Sequence, residues 1–263
     1  MDQRLVDALS SLWSILWPPL LLFGVVLGGW QAYVQATDVP TVILPSPVDV
    51  ATAAAASSST LLDTAIVTAV TASVGLLAGA TVGIAIAFAM LGSRAIAAVA
   101  HPYLIAFRIT PLIAIAPLVF LWFGSALLAR AMLVATLTTF PVAIASFDGL
   151  RSTSPVYTDL GRSVDASAHD IFLRIHVPAA APSVFAGLKL AAALSVIGTV
   201  VAEFLTLRAG LGYQIFKNSI ALETAGMFAA VFALVGLGLL FYSVPVLAER
   251  AISWTDSEQA TRR

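Results

Sequence analysis

Apolar stretches of about twenty residues recur along this chain, at 13–34, 63–91, 100–123, 126–147, 182–206 and 226–247. Lipid offers no partner to a free backbone amide, so runs of this length must close their own hydrogen bonds as helices. The sequence therefore predicts an all-α polytopic membrane protein with about six transmembrane helices. Composition agrees: 60% of the residues are hydrophobic and 10% are charged, against about 25% charged in an average soluble domain. Those figures exclude a soluble enzyme and a disordered scaffold. A formal net charge of −1 leaves no electrostatic footprint for nucleic acid. Cysteine is absent, which removes disulfides, thiolate chemistry and cysteine-ligated zinc.

The first run, Trp13 to Val34, follows Arg4 and is too long for the apolar core of a signal peptide. It reads as a retained helix, with Pro18 and Pro19 near its start, where a missing amide donor is tolerated. Pro111 and Pro117 interrupt the third run and predict a kink. Orientation follows from Lys and Arg placement. With the N-terminus inside, the inner segments hold Arg4, Arg94, Arg108, Arg151, Arg162, Arg174, Lys189, Arg250, Arg262 and Arg263. The outer ones hold Arg130, Arg208 and Lys217. Both termini are therefore expected in the cytoplasm, in a multi-pass protein of the plasma (inner) membrane.

Three regions follow: an N-terminal helix with an external loop (1–60), a core (61–250), and a tail (251–263). The outer loop 38–60 carries Leu44-Pro45-Ser46-Pro47, which must be extended where a proline follows. The inner segment 148–181 is the longest polar connection. Ser154-Pro155 reads as a helix start running to about Val164. Ser167 and Asp170 have capping-box spacing before Ile171-Phe172-Leu173, while Pro178 and Pro182 are expected to stop what precedes them. Two short helices joined near Asp165, or a plain surface connector, both fit.

That segment resembles the cytoplasmic EAA loop of binding-protein-dependent ABC importer permeases. Asp159-Leu160-Gly161, then Asp165, then Ile175-His176-Val177-Pro178 keep the motif's spacing. Asp and Leu-Gly stand in place of Glu and two alanines, and Asp165 replaces the glycine of the turn. Aspartate accepts a left-handed backbone better than most residues, so the turn is expected to survive. Further strings are similar to the sulfonate, taurine and nitrate branch. They include Arg108-Ile109-Thr110-Pro111, Ala116-Pro117-Leu118, Gly187-Leu188-Lys189-Leu190, Val200-Val201-Ala202-Glu203 and Gly210-Leu211-Gly212.

The resemblance implies a type I ABC importer permease fold and a non-enzymatic translocation subunit. It implies a second permease subunit (a homodimer), two ABC ATPase subunits, and an external binding protein delivering the solute. ATP and Mg would sit on the ATPase, since this chain has no phosphate-binding G-x-x-x-x-G-K-[ST] loop. The coupling loop would comprise Asp159, Leu160, Gly161, Arg162, Ser163, Val164, Asp165, Ala166, Ser167, Ile175, Val177 and Pro178. The solute would be a sulfonate-, taurine- or nitrate-like anion. The alternative is a thiamine-precursor pyrimidine or a riboflavin-like molecule, and a stand-alone secondary transporter is a more distant reading.

Arg108, Pro111, Pro117 and Glu203 are candidates for the pathway or its gate, because charges and helix breaks within spans default to function. Arg108 reads more readily as a side chain snorkelling to the inner interface. Glu203 is expected near the outer side, ordering the next loop through Arg208. Gly75, Gly79 and Gly83 repeat every four residues, as do Gly24 and Gly28, and let helices approach closely. His101, His169 and His176 lack metal-site spacing and read as surface residues. Trp13, Trp17, Trp30, Trp122 and Trp254 read as an interfacial belt.

Overall fold

Among the described residues every apolar run is helical, because inside a bilayer only intrahelical bonds satisfy the backbone. The structure, a computed structural model, describes the backbone over residues 3–109, 112–124 and 127–261, and side chains over 17–106, 114–124 and 127–252. In chain order the helices are α1 (Gln3–Thr37), α2 (Pro47–Ala56), α3 (Ser58–Gly92), α4 (Arg94–Ile109), α5 (Leu112–Phe123) and α6 (Leu127–Arg151). Then come α7 (Pro155–Ser163), α8 (Ala168–Ile171), a π-helical turn (Phe172–His176), α9 (Val177–Thr206), α10 (Leu211–Ile220) and α11 (Thr224–Thr261). Among the described residues, five helices are long and apolar enough to cross: α1, α3, α6, the continuous run through α8 and α9, and α11.

The third expected span is described in two parts, α4 and α5, on either side of Thr110 and Pro111, which lie outside the described residues. α4 packs Ala97, Ala100 and Leu104 on Ala87, Met90, Ala143 and Phe147. α5 packs Ala116 on Leu133 and Ala202, at the opposite ends of α6 and α9.

The outer loop is also more ordered than expected, since α2 occupies most of it. Ser46 is extended and caps α2: its hydroxyl accepts from the Asp49 amide at 3.2 Å, while the Asp49 carboxylate accepts from the Ser46 amide at 2.9 Å. Pro47 takes the first helical position, where no donor is needed. The Ser46 hydroxyl bond holds the Asp49 carboxyl below its ordinary value. A lowered folded value means that this contribution is complete at neutral pH and is lost only as the pH falls through the acid range. α1 begins upstream of the apolar run, so Pro18 and Pro19 lie inside the helix and not at its start.

The core is the contact of α6 with α3 on one side and α9 on the other. Along α3, Gly75, Gly79 and Gly83 present bare backbone to α6. A methyl group at these positions would lie 3.0 Å from the Ala131 carbonyl, 2.7 Å from that of Ala135 and 2.7 Å from that of Thr139. Gly187 of α9 does the same against Pro141 and Ala145. By contrast, a methyl on Gly24 or Gly28 of α1 would meet nothing within 4 Å, so intrasubunit packing does not explain that repeat. Trp30 is not simply interfacial: it packs against Phe228 and Phe232 of α11, with ring centroids 5.6 and 6.4 Å away.

This asymmetry makes a direct prediction. Gly79→Val should lower stability by about 3 kcal/mol, because a backbone carbonyl cannot retreat. Gly28→Val should leave stability unchanged, and thermal unfolding of both variants in detergent checks the contrast.

Candidate functional site

Between α6 and α9 the chain forms an elbow whose shape follows from a few residues. Ser154 is extended and Pro155 opens α7. α7 ends in a Schellman turn, in which the Ala166 amide donates to the Gly161 carbonyl at 3.0 Å and the Asp165 amide donates to that of Arg162 at 3.1 Å. The turn requires a left-handed residue, and Asp165 supplies it at φ +56°. Ser167 then restarts the helix by accepting from the Asp170 amide.

The prolines do not stop this helix as expected. The Val177 amide donates five residues back to Phe172, which makes the π turn. Pro178 has no amide hydrogen and its ring crowds the carbonyl four residues back. A locally wider coil accommodates that within a continuous rod, and Pro182 lies inside α9.

Gly161 is the elbow's inner contact. It is buried, and a methyl there would lie 2.9 Å from Ile171 Cγ1 and 3.4 Å from Ile175 Cδ1. Phe172 meets Phe88 of α3 edge-on at 5.7 Å. The other side of α7 faces outward: Val156, Leu160 and Val164, spaced four apart, are 70%, 62% and 71% exposed, and Tyr157 lies beside them. Arg162 and Asp159 form an exposed ion pair at 3.6 Å, a geometry worth little in water. Ser163, Ser167, Val177 and Pro178 are exposed, whereas Ala166 and Ile175 are half-buried.

At the opposite end, Glu203 is fully buried among the described side chains. Thr68 of α3 donates to its Oε1 at 2.9 Å, and the Gly212 amide donates to its Oε2 at 2.8 Å. Thr68 in turn accepts from the Leu211 amide at 2.8 Å. Gly210 has φ +138°, and any side chain there would collide with the Glu203 carboxylate. Arg130 of α6 donates to the Ala209 carbonyl at 3.2 Å, and its charge acts on the same carboxylate.

Glu203 thus braces the turn between α9 and α10 and has no exposed surface in this structure. The turn is held through backbone amides and Arg130, not through Arg208, which is exposed. Pro117 is an exposed residue of α5. Arg108 belongs to the last turn of α4 with its side chain outside the described residues, and Pro111 lies outside them altogether. Thr68 and Arg130 escape sequence reasoning, as one is a threonine among many and the other an outer-loop charge.

A helical bundle crossed by at least five spans, with an elbow displayed at one end, is the architecture of a transport permease. Residues 75–254 match the family described as "Binding-protein-dependent transport system inner membrane component", and the chain belongs to it. It is 34% identical over 235 residues to a protein of Haemophilus influenzae named a probable ABC transporter permease, covering 89% of this chain and 96% of that one. It is 31% identical to the formylaminopyrimidine transport permease protein ThiX of Halalkalibacterium halodurans, over 90% of this chain and 95% of that one. A Bacillus subtilis protein named for aliphatic sulfonate transport, SsuC, is 28% identical over 90% and 87%. Among solved structures, a chain of an amino acid ABC transporter crystallised with histidines is alike in fold, with a TM-score of 0.62 at 19% identity, covering 74% of this chain and 94% of that one. The protein is a multi-pass inner-membrane permease of the ABC importer type, and its relatives are transport subunits and not enzymes.

The elbow turn is open to test. Asp165→Gly should leave it intact, while Asp165→Val, β-branched in a left-handed position, should cost about 1–2 kcal/mol locally. Hydrogen exchange at the Asp165 and Ala166 amides should accelerate in the valine variant alone.

Proposed function

We propose that the elbow of α7, α8 and the π turn is the surface through which this permease is driven by a separate ATPase subunit. The observation that carries the reading is the apolar row Val156, Leu160 and Val164, held outward by the seating of Gly161 on Ile171. An apolar stripe at the polar end of a membrane protein calls for a protein partner. ATP and Mg then belong to that partner. The elbow end is cytoplasmic together with both termini, and a second copy of this chain completes the pathway. An external binding protein delivers the solute to the α2 and α10 end.

For the solute we favour an uncharged heteroaromatic molecule of the formylaminopyrimidine class. The likeness to ThiX is slightly higher than that to the Bacillus subtilis SsuC, and three cavities among the described residues are lined chiefly by apolar and neutral polar groups. The sulfonate-like anion is the second reading, supported by the likeness to SsuC, with Arg108 as the cation on its route.

Leu160 tests the coupling. Leu160→Asp changes a side chain that is 62% exposed, so insertion and monodispersity should be unaffected. Loss of one central apolar anchor should weaken ATPase retention by about 2 kcal/mol, roughly thirtyfold. Co-purification of the ATPase at wild-type stoichiometry would show that the elbow is not the docking surface.

A further inference from the structure

Away from the elbow and the Glu203 brace, one cavity is lined by hydrogen-bonding groups that the fold leaves unused. It encloses about 410 Å³ at the α2 and α10 end, between α2, α10 and the start of α11. Gln214 and Asn218 lie on it one helical turn apart, and Asn218 is only 4% exposed. Gln214 Nε2 donates to Asn218 Oδ1 at 3.1 Å. That bond orients both amides and occupies one acceptor and one donor. Asn218 Nδ2 and Gln214 Oε1 remain without a protein partner among the described residues, and neither is sealed in. Gly226 packs against Nδ2, where a methyl would lie 2.8 Å from that nitrogen, so the glycine makes room for the amide.

Charge narrows what this space accepts. Its lining holds one formal charge, Glu223, and neither Lys nor Arg. A sulfonate or nitrate entering here would lose water, meet no cation and face a carboxylate. A neutral planar group fares differently. The free Asn218 Nδ2 donates to a ring nitrogen or carbonyl, and Gln214 Oε1 accepts from an adjacent amine.

We propose that Gln214 and Asn218 form an entry subsite for a planar, uncharged solute that carries a hydrogen-bond donor beside an acceptor, as an amide or aminopyrimidine edge does. The subsite rests on the permease reading above and specifies its substrate class.

The test uses the full chain assembled with its ATPase in nanodiscs, with cytosine as the probe and methanesulfonate as the competitor, read by saturation-transfer NMR. Cytosine should bind wild type and should not be displaced by methanesulfonate. Gln214→Met, at a half-buried position, should weaken cytosine binding about tenfold while the fold is kept. Asn218→Leu should do the same, with thermal unfolding as its control because Asn218 is buried. Equal binding by wild type and Gln214→Met, displacement by methanesulfonate, or no cytosine binding would each overturn the subsite. No cytosine binding together with weakened docking of the external binding protein in Gln214→Met would mean that a protein side chain fills the cavity. ATPase retention in the same samples judges the permease reading separately. Its loss with cytosine binding intact removes the ATPase-coupling part of that reading and leaves its solute class and the subsite. Its presence with an inert Gln214→Met removes the subsite alone.

Discussion

Close backbone approach of α3, α6 and α9 is the constraint on which the rest of the molecule depends. Lipid is as apolar as leucine, so helices in a bilayer gain little by hiding leucine from it. Dispersion contacts and well-fitted backbones must hold the bundle instead. Gly75, Gly79 and Gly83 on α3 and Gly187 on α9 provide that fit by letting the carbonyls of α6 come within contact distance. α6 is accordingly the most buried span, while α1 is the least. Residues buried without large apolar side chains, such as Thr138 and Ser195, satisfy their hydroxyls on carbonyls of their own helices.

The two ends of the bundle are built on that rigid centre by different means. At one end the elbow extends α9 without a break, because the π turn absorbs Pro178 and passes the helix axis on into α8. Gly161 then seats α7 against the same rod. Force applied to the row on α7 therefore has a short, stiff path into the helix that packs on α6. At the other end Glu203, Thr68 and Arg130 fix the turn leading into α10, and α10 in turn positions Gln214 and Asn218. A single helix, α9, joins both ends, as differential stabilisation of two states of a bundle by a distant partner requires.

Much of this was legible in the sequence, and the limits have physical reasons. Spans formed by long apolar runs could be read because the membrane permits one solution to the backbone problem. The elbow turn could be read because Asp165 is one of the few non-glycine residues at ease with positive φ. α2 is masked in the sequence by the proline-rich stretch before its alanines, although Ser46-Pro47-Val48-Asp49 carries the same signature as the helix starts at Ser154 and Ser167. In the third run Pro111 marks a break in the sequence pattern but not whether the halves stay collinear. Tertiary pairs such as Thr68 with Glu203, or Arg130 with Ala209, leave no periodic trace. Nothing in one sequence links residues 135 positions apart.

If the elbow is the docking surface proposed above, α7 and α9 move as one body when a partner ATPase binds ATP. The chain has no cysteine, so label positions can be chosen freely. Cysteines at Asp159 and Leu190, both exposed, would carry spin labels off the apolar row of α7 and give up only an exposed ion pair. The measurement is the distance between them by pulsed electron resonance, in the assembled transporter with and without ATP. The account predicts one narrow distance that is the same in both states. A change comparable to one helical turn, about 5 Å, or a broad distribution in either state would show a flexible elbow and contradict it.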